Sequence, residues 1–239
     1  MIPDPPHELE YVDRESARLN VRAGGTVVMD RHGGVATFTL PATPAVSALL
    51  HPHLAAVAAV WAHWGGQDGF HAGAFLAGGG VWGVLGDKGS GKSSTLAALA
   101  RRGVAIVSDD VLVLDGRSAL AGPRSIDLRT DAADQLGIGE PLGVVGERER
   151  WRIGLEPIEP ELPFRGWITL RWSDEPVIRP LEGAGRLRQL LANRALLIPP
   201  RAPSAVFDLA GLPFFEFGRP RHWDAIDTAL EQLLDAISD

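Results

Sequence analysis

The run Gly86, Asp87, Lys88, Gly89, Ser90, Gly91, Lys92, Ser93, Ser94 restricts what this chain can fold into more than any other stretch of it. It satisfies the phosphate-loop pattern at Gly86, Gly91, Lys92 and Ser93: glycines let backbone amides line a phosphate-sized hollow, a lysine reaches the terminal phosphates, and a hydroxyl binds magnesium. The flanks agree with that pattern. Val81 to Leu85 is a short apolar run fit for a strand, and Ser93 to Arg102 reads as a helix closed by Gly103. Strand, glycine loop and helix in that order lay the loop on a helix amino end, where unpaired amides and the helix dipole favour anions. The predicted class is α/β, and ATP with Mg2+ is the expected ligand pair.

A second short apolar run, Val104 to Val107, ends in Ser108, Asp109 and Asp110. After the helix and the turn at Gly103, the chain is predicted to return as the next parallel strand, with the acid pair at its carboxyl end, where open α/β sheets bind ligands. In many P-loop ATPases and GTPases the magnesium-holding acid lies much farther along the chain. A pair this close points to a kinase, one carboxylate near the metal and one near the acceptor hydroxyl. The competing reading is a surface Asp-Asp turn between strands, because Val111 to Leu114 is apolar again and Asp115-Gly116 turns.

The stretch HAGAFLAGGGVWGVLGDKGSGKSSTLAALARRGVAIVSDD, His71 through Asp110, resembles the catalytic core of HPr kinase/phosphorylase and its bacterial relatives, among them serine kinases encoded with lasso-peptide biosynthesis genes. The corresponding features are His71 with Gly73, Arg102 with Gly103, and Asp109 with Asp110. This resemblance implies a P-loop-containing mixed sheet like the HPr kinase C-terminal domain and phosphoenolpyruvate carboxykinase. It also implies that Lys92 and Ser93 handle phosphate and magnesium, that Asp110 is the general base on an acceptor serine, and that Asp109 and His71 support the metal and the base. A second stretch, LPFRGWITL at 162–170, is similar to a family signature built on Glu-x-Arg-Gly and adds Arg165 to the site. The chain departs from the family at Lys88, where Ser is usual, at Ala72, which separates His71 from Gly73, and at Pro163, which stands where the acid belongs.

Composition excludes several other classes. The 239 residues are 45% apolar and 22% charged, enough to bury a full core. Lys plus Arg is 23 against 30 Asp plus Glu, so a broad basic nucleic-acid surface is not expected. The absence of Cys removes disulfides and thiolate chemistry and fits a cytoplasmic location. The opening MIPDPPHELEYVDRE is polar and acidic, unlike a signal peptide. The most apolar stretch, Ala45 to Trp64, carries His51, Pro52, His53 and His63, which argues for a buried helix starting near Pro52 rather than a membrane span or a metal site.

The expected organisation is an N-terminal β/α subregion over 1–70 packed on a kinase core over 71–239. A hairpin over Thr26–Met29 and Ala36–Leu40 precedes the Ala-rich helix. Strands around His71 to Leu85 turn at Gly78 to Gly80, a second hairpin spans Leu114 to Gly122, and a short helix runs from Thr130 to Leu136. Gly137 to Arg152 reads as a mobile loop. Strands are expected near Trp167–Trp172 and Ala205–Leu209, with a helix through Leu187–Leu197 between them, and Trp223, Ile226, Leu230, Leu233 and Ile237 form the packing face of a last helix. Arg148, Arg150 and Arg152 either neutralise transferring phosphate or pair locally with Glu147 and Glu149; on a strand, Arg150 and Arg152 share a face.

Together these features predict an ATP-dependent kinase acting on a serine or similar hydroxyl of a protein or peptide, with a biosynthetic precursor peptide among the candidates. The catalytic set is Asp110, Asp109, His71 and Arg165; residues 86–94 bind the nucleotide, and Ser93 with Asp109 holds the metal. A small-molecule hydroxyl kinase and a catalytically weakened nucleotide-binding regulator are the alternatives. No nucleic-acid or membrane partner is expected, and a homo-oligomer is left open.

Overall fold

The computed structural model describes residues 10–21, 24–46, 49–145, 148–200 and 202–238, without the side chains of 50–52. Most of the opening segment, the His51 side chain, and Gly146 with Glu147 therefore lie outside the described residues. The fold is mixed α/β with several sheets, and no helix among the described residues is long and apolar enough to cross a membrane.

The amino-terminal strands β1 (Tyr11–Val12), β2 (Ser16–Asn20), β3 (Thr26–Asp30) and β4 (Val35–Thr39) form an antiparallel sheet in that order. The β3–β4 hairpin is where alternation and the intervening Gly33-Gly34 predict it. Helix α1 (Ala55–Gly65) follows a π-helical turn over Leu49–Leu54. It lays Val57, Val60 and Trp64 on Ala17, Val27 and Met29 of the sheet, a cluster in which all six are buried.

The main sheet has nine strands. Its centre is β6 (Gly73–Ala77), β7 (Gly80–Leu85) and β14 (Glu161–Trp172), with β6 and β7 antiparallel and β7 and β14 parallel. All six residues of β7 are buried, as expected of a strand covered on both faces. Beyond β6 lies β8 (Ile106–Ser108), which is antiparallel to β6 and therefore runs in the same direction as β7. The predicted parallel return is correct in direction but not in adjacency, because β6 pairs with both strands and lies between them. On the other side, β5 (Asp68–Phe70), β9 (Leu112–Asp115) and β10 (Ser118–Leu120) extend the sheet from the start of β14, while β15 (Val177–Pro180) and β16 (Phe214–Arg219) add to its far half.

A third, three-stranded sheet holds β11 (Ser125–Leu128), β12 (Glu140–Val145) and β13 (Arg148–Gly154), with β13 in the middle. This corrects the expected mobile loop over 137–152: most of that stretch is a hairpin with a bulge between Pro141 and Gly143. One face of β13 carries arginines instead of apolar residues, so period-two hydrophobicity does not mark it.

Helix α2 (Lys92–Arg101) follows β7 and buries Thr95, Leu96, Ala97, Ala98 and Leu99. Helix α3 (Thr130–Leu136) spans the predicted residues. Helix α4 (Ala184–Ala192) stops short of Leu197. Residues 203–210 form α5 (Pro203–Ala210) and not the expected strand, because Pro203 starts a helix at its first turn and a short apolar run does not distinguish the two states. Helix α6 (Ile226–Ser238) packs Ile226, Leu230, Leu233 and Ile237 into the same core cluster as Leu96 and Leu99.

Candidate active site

The chain leaves the buried β7 at Leu85, passes through the loop and enters α2 at Lys92. Gly86 has φ +148° and Gly91 φ +85°, backbone that an ordinary L-residue rarely adopts. A Cβ on Gly91 would also stand 2.2 Å from Arg219 Nη2. Lys92 folds back to donate from Nζ to the Gly86 carbonyl at 2.5 Å, so the ammonium lies across the loop. Burial pushes the Lys92 ammonium below its ordinary pKa, and Asp109, Asp110 and Asp87, in that order, push it back up. The α2 amino end has no side-chain cap and no acid in its first turn, which leaves its amides available to an anion.

Two carboxylates meet this loop from β8. Ser93 Oγ donates to Asp109 Oδ1 at 3.1 Å. His71 Nδ1 stands 3.2 Å from Asp110 Oδ1, and the His71 amide is held by the Asn193 carbonyl at 2.7 Å. Adjacent residues on a strand face opposite ways. Here the strand ends at Ser108 and Asp110 has φ +70°, the one left-handed non-glycine among the described residues. That departure from strand geometry lets both carboxylates line the same cleft.

The cleft has a volume of about 1040 Å³. Asp87, Lys88, Gly89, Gly91, Lys92, Ser93 and Ser94 border it, together with His71, Asp109 and Asp110, while Gly86 and Ser90 are buried beneath the loop. Arg165 does not join them. It is exposed on β14, between residues that pair with Val81 and Trp82 at the start of β7, whereas the loop begins after Leu85 at the other end of that strand. Arg165 is therefore removed from the site. Of the arginines on β13, Arg148 and Arg150 line the cleft, whereas Arg152 is held by Asp127 through two contacts of 2.7 Å. Glu149 takes the opposite side of the strand and accepts from Thr130 Oγ1 at 3.4 Å.

Sequence reasoning missed Arg219. It is 4% exposed, donates from Nη2 to the carbonyls of Ser90 at 2.8 Å and Gly91 at 3.2 Å, and stacks its guanidinium 4.2 Å from the Trp172 ring centre. Burial lowers its pKa to about 10, so it remains charged at neutral pH. The guanidinium thus fixes the loop's carbonyls from the wall of the same cleft, which Arg219 also lines, and no spacing in the sequence connects it to the loop. Replacing it by Met removes a charged donor from two carbonyls. Arg219→Met is expected to cost about 1–3 kcal/mol in urea unfolding and to weaken nucleotide binding through a looser loop.

The residues fit a magnesium-bound nucleoside triphosphate. Ser93 Oγ and an Asp109 oxygen are hard ligands suited to magnesium, and Ser90 Oγ is buried without a hydrogen-bond partner among the described residues. No group of three or more His, Cys, Asp or Glu among the described residues forms an all-protein metal cage.

No protein-family model matches the chain, and no curated protein matches it. Among solved structures it is similar to the Hpr(Ser) kinase/phosphatase from Coxiella burnetii, at 14% identity over 71% of this chain and 88% of that one, with a TM-score of 0.35.

Proposed function

We propose that this chain is an ATP-dependent kinase that transfers the γ-phosphoryl group to a serine or similar hydroxyl of a protein or peptide. The observation that carries this reading is the end of β8: one strand brings Asp109 to the hydroxyl of the glycine loop and Asp110 to His71, so the two acids are set to different partners, one suited to a metal and the other to a proton. The sequence resemblance of residues 71–110 agrees with it.

In this mechanism the α2 amides and Lys92 bind the triphosphate and orient its terminal group. Ser93 and Asp109 would hold a magnesium ion, which would supply charge neutralisation on the transferring group. Asp110 accepts the proton of the acceptor hydroxyl as that oxygen attacks, and His71, 3.2 Å away, holds the carboxylate in position. Arg219 keeps the loop in its bound shape before the nucleotide arrives, which removes an ordering cost from binding.

Calorimetry with Mg·ATP tests the first step. Wild type is expected to bind, and Lys92→Ala to bind about 10–100-fold more weakly, the loss of one charge-assisted contact. A folded wild type that binds no nucleoside triphosphate in the presence of magnesium ends this reading. Mass spectrometry of serine-containing peptides incubated with ATP then tests the transfer.

A further inference from the structure

The cleft has a second polar end. Arg129 precedes α3, Arg148 and Arg150 project from β13, and all three line the same cavity as the phosphate loop. None of the three makes an ion pair or a side-chain hydrogen bond among the described residues, and Arg150 Nε is buried with no partner. Burial lowers the Arg150 pKa first, and Arg129 and Arg148 lower it further against the opposing pull of Asp127 and Asp110. Arg129 and Arg148 are exposed and Arg150 is half-buried, and holding three like charges together beside a partly desolvated Arg150 costs free energy unless an anion joins them.

The acids of this end do not supply that anion. Asp127 is taken by Arg152 through both carboxylate oxygens. Asp131 lines the cleft and pairs with none of the three among the described residues. Asp110 acts on both Lys92 and Arg150, whereas Asp109 and Asp87 are felt at Lys92. Asp110, in contact with His71, lines the same cavity as both the loop and the three arginines.

We propose that Arg129, Arg148 and Arg150 form an oxyanion site for a carboxylate or phosphate carried by the acceptor close to its reacting hydroxyl. The favoured acceptor is thus an anionic molecule or segment. Guanidinium forks match both oxyanions in geometry, and holding the acceptor by its charge fixes the hydroxyl over Asp110. This inference rests on the kinase reading, because it takes Asp110 as the base.

The test loads the protein with magnesium and a non-hydrolysable ATP analogue, which fills the phosphate loop, and then titrates inorganic phosphate by calorimetry. Saturable phosphate binding is expected in the loaded wild type, weakened about tenfold or more in Arg150→Gln and in the surface variant Arg148→Gln, while both variants bind the analogue as wild type does. A parallel titration with succinate distinguishes a phosphate-bearing from a carboxylate-bearing acceptor. No binding of either anion to the loaded wild type overturns the proposal, as does unchanged binding in both variants. A fall in analogue affinity in the variants also overturns it, because the arginines then serve the donor. A wild type that binds no analogue fails the kinase reading itself and takes this inference with it; normal analogue binding without anion binding fails the arginine site alone.

Discussion

Asp110→Asn is expected to lower kcat by about 10²–10⁴ at saturating acceptor while leaving Mg·ATP affinity near wild type, the usual loss when a general base is removed. The substitution isolates chemistry from folding. Asp110 holds φ +70°, and Asn is among the few residues that tolerate that backbone, so the turn after β8 should keep its shape. The His71 contact at 3.2 Å also retains a partner oxygen. Asp110→Gly is expected to be equally inactive but more stable by about 1 kcal/mol, since glycine relieves the left-handed penalty. Stopped-flow or steady-state kinetics beside a urea titration reads both numbers. Near-wild-type kcat in Asp110→Asn, or loss of nucleotide binding, would show that the base and metal roles are misassigned.

Trp167→Ala should cost about 3–5 kcal/mol, a large share of the roughly 5–15 kcal/mol that holds a domain together. Trp167 is 0% exposed at the centre of β14. Its ring meets Phe70, Phe164 and Phe214 at centroid distances of 5.0, 4.7 and 6.3 Å. It fits because the facing position on β7 is Gly83, where a Cβ would come within 2.6 Å of the indole. Its Nε1 donates to the Leu209 carbonyl at 3.2 Å, so truncation also leaves a buried acceptor unpaired. Trp167→Phe keeps most of the ring and should lose much less. Urea unfolding measures both; a loss below about 1 kcal/mol for the alanine variant would mean that the site collapses and refills the cavity.

The parts of the site that were legible in the sequence are those encoded locally. Gly86 to Ser94 and Asp109–Asp110 sit at the ends of short apolar runs, and β7, α2 and β8 are close to their expected spans. The left-handed Asp110 was not legible, because aspartate adopts ordinary backbone as readily. Arg165 was misplaced for a register reason: its signature lies within a twelve-residue strand, and only pairing with β7 decides which end of that strand reaches the loop. Arg148 and Arg150 had two readings until β13 was paired between β11 and β12, which turned both into the cleft. Residues 203–210 failed through the ambiguity of short apolar runs, as described for α5.

Arg219 supports the glycine loop from 129 positions farther along the chain than Ser90. During synthesis the glycine loop, the lysine and both aspartates are therefore all made long before the guanidinium that fixes Ser90 and Gly91 exists. A nascent chain that has reached α5 carries every motif residue of the site but only an unsupported loop, and β14 still awaits its parallel partner β16. The supported form of the loop thus arises late and together with closure of the main sheet.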